Sequence, residues 1–396
     1  MSTERAILEK DELAGGDRLR VIRGLRQLIA SELTPHDPMP SERNLSQRFG
    51  VGRTLVRTAL QRLTKEGLLR REGPRTRAIT AKARQTDTWM SQAVVFLDPL
   101  FDSRDRSPED AYWANYLSLG LGQAVRDAGH HVVALNPNEL RPQDIRKLAE
   151  EKPIGVLVPE IYGGGLETPQ LIQMLVSAGT RVVVYGGNPE LAPFDRVMSD
   201  HEAGAYQLTQ WLIQQGRRRI AHIWPAPAEG YWYAPRQAGY ERAMREAGLT
   251  PRPPILCNPL PLVEQETAED QRRTVFDNAA RNTAGFLVEH MIGGTPLDAL
   301  MAGTDRDAFA VTAAVRVFGR TPGKDFSVTG YDNYWTRCCE RAFEPCPPAA
   351  TVDKCNDRMG QEMVSLLLDR AAGRLPETPQ CRQIEPRLVT TEPPAN

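Results

Sequence analysis

The spacing of apolar residues changes once along the chain, and the change divides the sequence into two parts. Between residues 15 and 33, apolar side chains stand three or four positions apart, which predicts one amphipathic helix. From Ala93 onward, short apolar segments alternate with amphipathic ones, which predicts strands and helices in parallel sheets that are covered on both faces. This part has about 300 residues, which suits two such sheets with a ligand cleft between them.

Residues 39–80 predict a helix, a tight turn, a second helix and a hairpin. Ser41 follows a proline and is suited to cap a helix at 42–49, and Gly50-Val51-Gly52 predicts the turn. Apolar positions predict the second helix at 53–66, and two short strands follow at 68–71 and 76–80. This order of elements is that of a winged helix-turn-helix, whose second helix fits the DNA major groove.

These patterns predict an α/β protein with two domains. We expect an N-terminal winged helix-turn-helix domain at 15–80 and a linker at 81–92. A two-lobed domain with two parallel doubly wound sheets should occupy 93–390.

Charge is concentrated in the first part. Residues 38–84 hold 12 Lys and Arg against 3 Asp and Glu, a net charge of +9, whereas the whole chain sums to −1. A polyanion could meet the chain there. Within the second helix, Arg53 and Arg57 stand four apart and share a face with Thr54 and Thr58. DNA binding is the favoured interpretation; the alternatives are a solvated basic face and a winged helix that contacts protein.

Residues 40–69, PSERNLSQRFGVGRTLVRTALQRLTKEGLL, closely resemble the DNA-binding domain of GntR-type bacterial transcription regulators. The resemblance implies binding to double-stranded operator DNA through the arginine after Ser-Glu, the Arg-Thr that opens the second helix, and the arginine one turn later. The wing keeps only one glycine of the family's Gly-x-Gly-Thr tip. With the neighbouring threonine and two wing residues, the predicted DNA-binding residues are Arg43, Arg53, Thr54, Arg57, Thr58, Gly73 and Arg75.

The second part resembles the periplasmic-binding-protein-like effector domain of LacI-type regulators. Two of the stretches that carry this resemblance are RRRIAHIWPAPAEGYWYAPRQAGYERAMREAGL and LDALMAGTDRDAFAVTAAVRVFGRTPGKDFSVTGYDN. The resemblance implies a homodimer, and an effector that is a sugar or sugar derivative. It also implies that the chain crosses between the lobes near residues 195, 331 and 351, so that the first lobe holds 93–195 and 332–350.

The same resemblance implies which residues face a ligand. Arg236 matches the family arginine that clamps ligand hydroxyls or carboxylates, and Asp305 matches the acidic residue that accepts from sugar hydroxyls. Three aromatic residues are suited to stack on a sugar ring, and two aspartates lie at predicted crossovers. They are Tyr112, Trp113, Trp232, Asp200 and Asp332.

Each of these residues also has a purely structural interpretation. Arg236 can pair with Glu241 on one helix face, and Asp305 and Asp200 can each cap a helix. Tryptophan and tyrosine fill a core more often than they contact a ligand. Asp332 can brace a hinge instead of lining the cleft.

Several classes of protein are disfavoured by the sequence. No apolar run approaches 18 residues, and the N-terminus lacks a signal-peptide core, so we expect a cytoplasmic protein that does not enter the membrane. Six cysteines and six histidines show no metal-ligand spacing, and no phosphate-binding, nucleophile-elbow or zinc-protease motif occurs. We expect no metal, no cofactor and no catalytic residue.

Together these features predict a transcriptional regulator, a repressor by the family's common mode, whose operator affinity is controlled by a small polar ligand. A ligand-independent DNA-binding regulator with a degenerate cleft stays open, and DNA binding measured with and without metabolites distinguishes the two. A sugar-binding receptor is opposed by the missing signal peptide and the basic domain. An enzyme is opposed by the missing motifs.

Overall fold

The computed structural model describes residues 20–22, 24–29, 32–33, 37–73, 77–79, 89–98, 108–159, 168–228, 230–258 and 268–391. In its described part, the N-terminal domain consists of helices and an antiparallel hairpin. The helices are α1 (20–22 and 24–29), α2 (Glu42–Phe49) and α3 (Arg53–Lys65), and the strands are β1 (Leu69–Arg71) and β2 (Arg77–Ile79). The predicted winged helix-turn-helix is confirmed.

Local chemistry decides where the second and third helices begin and end. Ser41 Oγ accepts a hydrogen bond from the N–H of Asn44 at 3.2 Å and caps the N-terminus of α2. Gly50 ends α2 with a φ of 64°, a left-handed conformation that glycine adopts without a steric cost. Leu45 of α2 and Leu60 of α3 are buried in one core with α1 and the hairpin. This core fixes which face of α3 stays in solvent.

Six described strands of the second domain form the sheet of its first lobe. The strands are β3 (Ala93–Leu97), β4 (His131–Leu135), β5 (Gly155–Val158), β6 (Val182–Tyr185), β7 (Asp195–Ser199) and β13 (Cys381–Ile384). They are parallel, in the order β13-β7-β6-β5-β3-β4. The helices of this lobe are α4 (Pro108–Asp127), α5 (Pro142–Glu150), α6 (Thr168–Ser177) and α11 (Asn356–Ala371). Buried side chains of α4 and α11 cover one face, and those of α5 and α6 cover the other.

Four further described strands form the parallel sheet of the second lobe, in the order β11-β10-β8-β9. They are β8 (Ile220–Pro225), β9 (Ile255–Cys257), β10 (Ala299–Ala302) and β11 (Ser327–Thr329). The helices are α7 (His201–Gln214), α8 (Tyr233–Glu246), α9 (Glu269–Met291) and α10 (Asp305–Arg316). Helices α7 and α8 pack on one face, and α9 and α10 pack on the other. The predicted pair of doubly wound sheets is confirmed.

Two strands beside the second lobe carry the last two crossings between lobes. They are β12 (Ala350–Asp353) and β14 (Arg387–Thr390), which pair antiparallel. The N–H of Asp332 donates to the carbonyl of Val352 at 2.8 Å, which holds β12 beside the end of β11. The chain therefore crosses after Ser199, between β12 and α11, and between β13 and β14.

The predicted crossover near 331 and the division of the lobes after residue 331 are wrong. The predicted crossover near 351 agrees with the crossing between β12 and α11, but the chain runs there from the second lobe to the first. Residues 332–350 stay with the second lobe, where Glu340 and Glu344 form ion pairs of 2.9 and 2.8 Å with arginines of α10. Helix α11 returns to the first lobe, and Arg370 in it forks onto Asp195 of β7 at 2.6 and 2.7 Å. An alternation of strands and helices does not reveal which of two sheets receives each unit, because contacts between distant residues decide it.

Candidate DNA-binding surface and ligand cleft

The exposed face of α3 carries the residues expected to contact DNA. Arg53 and Thr54 open the helix and are exposed, and so is Arg57 one turn later. Val56 and Leu60 are buried on the opposite face. Because those two side chains are fixed in the core, the arginines point away from the domain.

An ion pair connects α3 to α2. Arg57 Nε and Nη2 both donate to Glu42 Oε2, at 3.1 and 3.0 Å. The Arg57 side chain is 58% exposed, so water screens the pair, and a DNA phosphate or base can replace Glu42. Thr58 Oγ1 donates to the carbonyl of Thr54 at 3.0 Å, so its hydroxyl proton is engaged within the helix.

The other predicted DNA contacts lie on α2 and on the hairpin. Arg43 is exposed on the first turn of α2, next to the residue that pairs with Arg57. Gly73 follows β1, and its carbonyl accepts from Arg71 Nε at 3.3 Å. Arg75 lies outside the described residues. The individual DNA contacts stay predictions.

In the second domain, Arg236 is the centre of a buried polar cluster at the carboxyl ends of the second sheet's strands. Its guanidinium carbon lies 4.2 Å from the centroid of the Trp232 ring and 3.4 Å from that of Tyr331. Nη1 donates to the carbonyl of Gly303 at 2.8 Å, and the residue is only 4% exposed. Glu241, the alternative partner, accepts instead from other residues of α8.

Asp332 and Lys354 form an ion pair beside Arg236. Asp332 Oδ1 lies 2.9 Å from Lys354 Nζ and 4.0 Å from Arg236 Nη2. The backbone of Asp332 and Asn333 is left-handed, with φ of 89° and 56°, a region that Asp and Asn tolerate better than most residues. Although burial opposes it, the Asp332 carboxylate raises the pKa of Lys354, which stays charged. One carboxylate therefore faces two buried cations.

Asp305 has a positioning role in this structure. It is fully buried at the start of α10, and its Oδ2 accepts from the N–H groups of Tyr334 and Trp335 at 2.7 and 3.0 Å. Burial and the nearby charge of Asp332 raise the pKa of Asp305 to about 8. The predicted capping role falls to Thr304, whose Oγ1 accepts from the N–H of residue 307 at 3.2 Å. Asp305 instead holds the segment that follows Asp332.

His201, which lies just after the first crossing between the lobes, places an imidazole beside the cluster. Its ring centroid lies 6.0 Å from that of Tyr331 and 5.8 Å from that of Tyr231. Burial, with the positive charges of Arg236 and Lys354, holds the pKa of His201 well below its usual value. The imidazole is therefore neutral at physiological pH.

The remaining predicted ligand residues have packing or capping contacts. Trp113 stacks on Tyr185 with centroids 5.6 Å apart, within the core of the first lobe. Tyr112 lies 6.2 Å from Tyr334 and joins α4 to the second lobe. Asp200 Oδ1 accepts from the N–H of residue 203 at 2.9 Å, so its predicted capping role is confirmed. The predicted ligand residues that the structure does bring together are Trp232, Arg236 and Asp332.

Seven buried polar atoms at the strand ends and helix starts around this cluster have no hydrogen-bond partner among the described residues, besides Asp332 Oδ1, whose charge pairs with Lys354. They are Ser199 Oγ, His201 Nδ1, Trp224 Nε1, Arg236 Nε, Asp305 Oδ1, Thr329 Oγ1 and Tyr331 Oη. A buried polar atom without a partner costs about 1–3 kcal/mol, and native proteins keep few of them. A polar ligand with several hydrogen-bonding groups would satisfy such a set.

A separate cavity of about 530 Å³ lies against β12 and β14, the strands at the last two crossings between the lobes. Its lining includes Tyr112, Asp353 and Arg387, and Tyr112 is the one predicted ligand residue among its lining residues. Asp353 and Arg387 pair with each other at 3.1 Å. The Arg236 cluster is the stronger candidate for a ligand site, because the buried atoms without partners converge there, while Asp353 and Arg387 of the cavity already pair.

Within the described part of the chain, no three His, Cys, Asp or Glu side chains converge in a way that would hold a metal ion. No helix there is long and apolar enough to cross a membrane.

Three members of the cluster were missed by sequence analysis, although each lies next to a strand end. Tyr331 precedes the predicted Asp332, and His201 follows the predicted Asp200, so neighbouring positions held the signal. Lys354 follows β12, a strand that the apolar pattern did not predict. Nothing in its local sequence marks it as a partner of Asp332.

Two protein-family models match the chain. Residues 18–76 match bacterial regulatory proteins of the gntR family, and residues 209–392 match a periplasmic binding protein-like domain. The HTH-type transcriptional regulator CelR of Thermobifida fusca is 28% identical over 280 residues, which are 69% of this chain and 74% of that protein. The HTH-type transcriptional repressor PurR of Glaesserella parasuis serovar 5 (strain SH0165) is 29% identical over 224 residues, which are 53% of this chain and 57% of that protein.

Solved structures show the same fold. The transcriptional regulator CelR-cellobiose complex has a TM-score of 0.53 at 22% identity and covers 89% of this chain and 99% of that chain. A regulatory protein of the LacI family from Chloroflexus aggregans has a TM-score of 0.55 at 21% identity, and covers 76% of this chain and 98% of that chain. These relatives are transcriptional regulators and not enzymes. The chain is therefore a gntR-type helix-turn-helix domain fused to a periplasmic-binding-protein-like domain, and it is homologous to the LacI-family regulators CelR and PurR.

Proposed function

We propose that this regulator is a repressor whose operator affinity is controlled by a small polar ligand, a carbohydrate or carbohydrate derivative, bound between the two lobes. The observation that carries the proposal is the buried cluster around Arg236, where polar atoms lack partners among the described residues. The CelR structure is a complex with cellobiose, which supports a carbohydrate as the ligand class here.

Ligand entry requires the lobes to separate. Arg236, Tyr331 and Asp332 are 4%, 2% and 8% exposed, so a ligand cannot reach them in this arrangement. Closure around the ligand then changes the angle between the lobes. The ligand can shift operator affinity only by its difference in affinity for the two arrangements, typically about 1–3 kcal/mol.

At the DNA, a cytoplasmic homodimer would present two α3 helices to a pseudo-palindromic operator, with half-sites about 34 Å apart. Contacts of the basic surface with phosphates would supply the salt-dependent part of the affinity. Arg43, Arg53, Thr54 and Arg57 would supply most of the sequence choice. Sedimentation of the full chain with and without a palindromic duplex tests the dimer.

The ligand is tested by thermal unfolding of the full chain against sugars, sugar acids and sugar phosphates. A ligand at 100 times its dissociation constant adds about 2.7 kcal/mol to the free energy of unfolding. The shift should be lost in Arg236→Ala and kept in the control Arg242→Ala, which changes a 47% exposed arginine of the same helix. A compound that shifts the melting of wild type should also change its operator affinity.

A panel that changes neither melting nor operator affinity would contradict ligand control by these compounds and favour a ligand-independent regulator. Loss of the shift in both arginine variants would mean that the effect follows net charge and not the cluster.

A further inference from the structure

The charges at the Arg236 cluster do not balance. Arg236 and Lys354 are both buried, and Asp332 is the only carboxylate within 4.0 Å of either cation in the described part of the chain. Lys354 lies 2.9 Å from that carboxylate, while the nearest nitrogen of Arg236 lies 4.0 Å away, beyond hydrogen-bond distance. The guanidinium therefore lies against two rings and donates to one carbonyl, and Asp332 is not within hydrogen-bond distance of it.

The other acidic groups near the cluster are committed elsewhere. Asp305 accepts from two backbone N–H groups, and its pKa, raised by burial to about 8, keeps most of it protonated at neutral pH. Asp200 caps α7, and Asp353 pairs with Arg387. Asp307 is buried beside the Arg306 guanidinium, and burial raises its pKa. Arg306 itself pairs with Glu340 at 2.9 Å.

His201 lies near the same two cations. Burial, followed by the charges of Arg236 and Lys354, holds its pKa well below the usual value. A buried guanidinium that is not directly paired costs free energy, and a planar anion can receive two of its parallel N–H groups. Arg236 Nε has no partner among the described residues, and Nη2 faces Asp332 only at 4.0 Å.

We propose that the effector carries a negative charge, a carboxylate or a phosphate group, which binds between Arg236 and Lys354. Its hydroxyl groups would meet Ser199, Thr329 and Tyr331, whose oxygens lack partners among the described residues. Trp232 would stay stacked on the guanidinium and shield the charge pair from water. The proposal rests on the proposed function, since it assigns the ligand class of the same cleft.

The first test compares matched acidic and neutral sugars by isothermal titration of the full chain. D-glucuronate is compared with D-glucose, D-galacturonate with D-galactose, and glucose 6-phosphate separates phosphate from carboxylate as the source of charge. A charge-assisted hydrogen bond is about twice as strong as a neutral one, so the acidic member should bind at least about tenfold more tightly. Arg236→Gln should remove that preference, and Arg242→Gln, with the same change in net charge, should retain it.

The second test uses inorganic phosphate, so that the result does not depend on the choice of sugar. At constant ionic strength, phosphate should cause a saturable change in tryptophan fluorescence, since Trp232 lies 4.2 Å from the guanidinium carbon. The change should be absent in Arg236→Gln and present in Arg242→Gln. If the Arg236 variant fails to fold, the affinities of wild-type protein for the acidic and neutral sugars still test the proposal.

The outcomes separate the two proposals. Neutral sugars that bind as tightly as their acids would overturn the negative charge and leave the ligand-controlled cleft intact. Saturable, Arg236-dependent phosphate binding without any sugar binding would support an anionic ligand outside the tested sugars. Absence of every response would overturn the inference and remove the proposed cleft with it.

Discussion

The buried carboxyl of Asp305 makes the stability of the second domain depend on pH in a direction that can be worked out. Burial raises its pKa from 3.8 to about 8, so between these values the folded domain keeps a proton that the unfolded chain has released. Because the folded state then binds more protons, the free energy of unfolding falls as pH rises through this window and levels off above pH 8. The substitution Asp305→Asn removes the carboxyl group that titrates. Its side-chain oxygen can still accept from the N–H groups of Tyr334 and Trp335.

The magnitude follows from the linkage relation. Each pH unit inside the window changes the free energy of unfolding by about 1.4 kcal/mol, which corresponds to roughly 2–4 °C in melting temperature for a large domain. Relative to wild type, Asp305→Asn should therefore gain about this much between pH 6.5 and 7.5. His201 and His222 have lowered pKa values, so their contributions are lost as pH falls, and they occur in both proteins and cancel in the difference.

The assay is urea or thermal unfolding of both proteins from pH 6 to 8.5 at fixed ionic strength. Stability curves that run parallel across this range would refute a protonated Asp305 in the folded domain. Ligand titration adds a second readout once an effector is known. If Asp305 only positions the backbone of Tyr334 and Trp335, the ligand affinity of Asp305→Asn should stay within about threefold of wild type, because the asparagine oxygen still accepts those hydrogen bonds. If Asp305 contacts the ligand directly, the loss of affinity should be much larger.

Three further predictions concern packing and DNA. A Cβ at Gly120 would lie 1.8 Å from the backbone oxygen of residue 357, so Gly120→Ala should lower the free energy of unfolding by about 1–3 kcal/mol or more in urea titration. In the control Gly122→Ala, the added Cβ lies near only a flexible arginine tip at 3.3 Å, so the change should be neutral or stabilising by up to about 1 kcal/mol. Equal losses of unfolding free energy in the two variants would contradict the close helix contact at Gly120. Arg53→Ala should weaken specific operator binding by about 1–3 kcal/mol at fixed salt, and an unchanged dissociation constant would remove it from base recognition. Glu42→Gln frees Arg57 from its carboxylate and should tighten DNA binding by up to about 1 kcal/mol, measured by fluorescence anisotropy; weaker binding would mean that the ion pair positions Arg57 for DNA.

The winged domain could be predicted nearly residue by residue because its signals are local. Ser41 caps the helix that follows it, Gly50 ends that helix in the left-handed conformation, and the exposed arginines of α3 are defined by the buried residues between them. Each of these features needs only the next few residues of the chain. The charge pattern then distinguished this exposed face as a surface for a polyanion.

The candidate ligand site could be predicted only in part because its contacts join distant segments. Arg236 was identified from its own helix, but the carbonyl that it binds belongs to Gly303, after another strand. Asp305 was expected to face a ligand, yet its partners are N–H groups about thirty positions later, at 334 and 335. Local sequence shows that Asp305 begins a helix, and only the fold shows that a loop returns over it.

The positions of these residues also explain how binding and lobe movement can be the same event. His201 lies just after the first crossing between the lobes, and Lys354 lies within the second, between β12 and α11. Asp332, which pairs with Lys354, is hydrogen-bonded through its backbone to β12. An anion that binds Arg236 and Lys354 competes with Asp332 for the same ammonium group, and so it acts on the strands that join the lobes. A ligand held by the second lobe alone would lack this connection, whereas a ligand held at the crossings changes the lobe angle by the contacts that bind it.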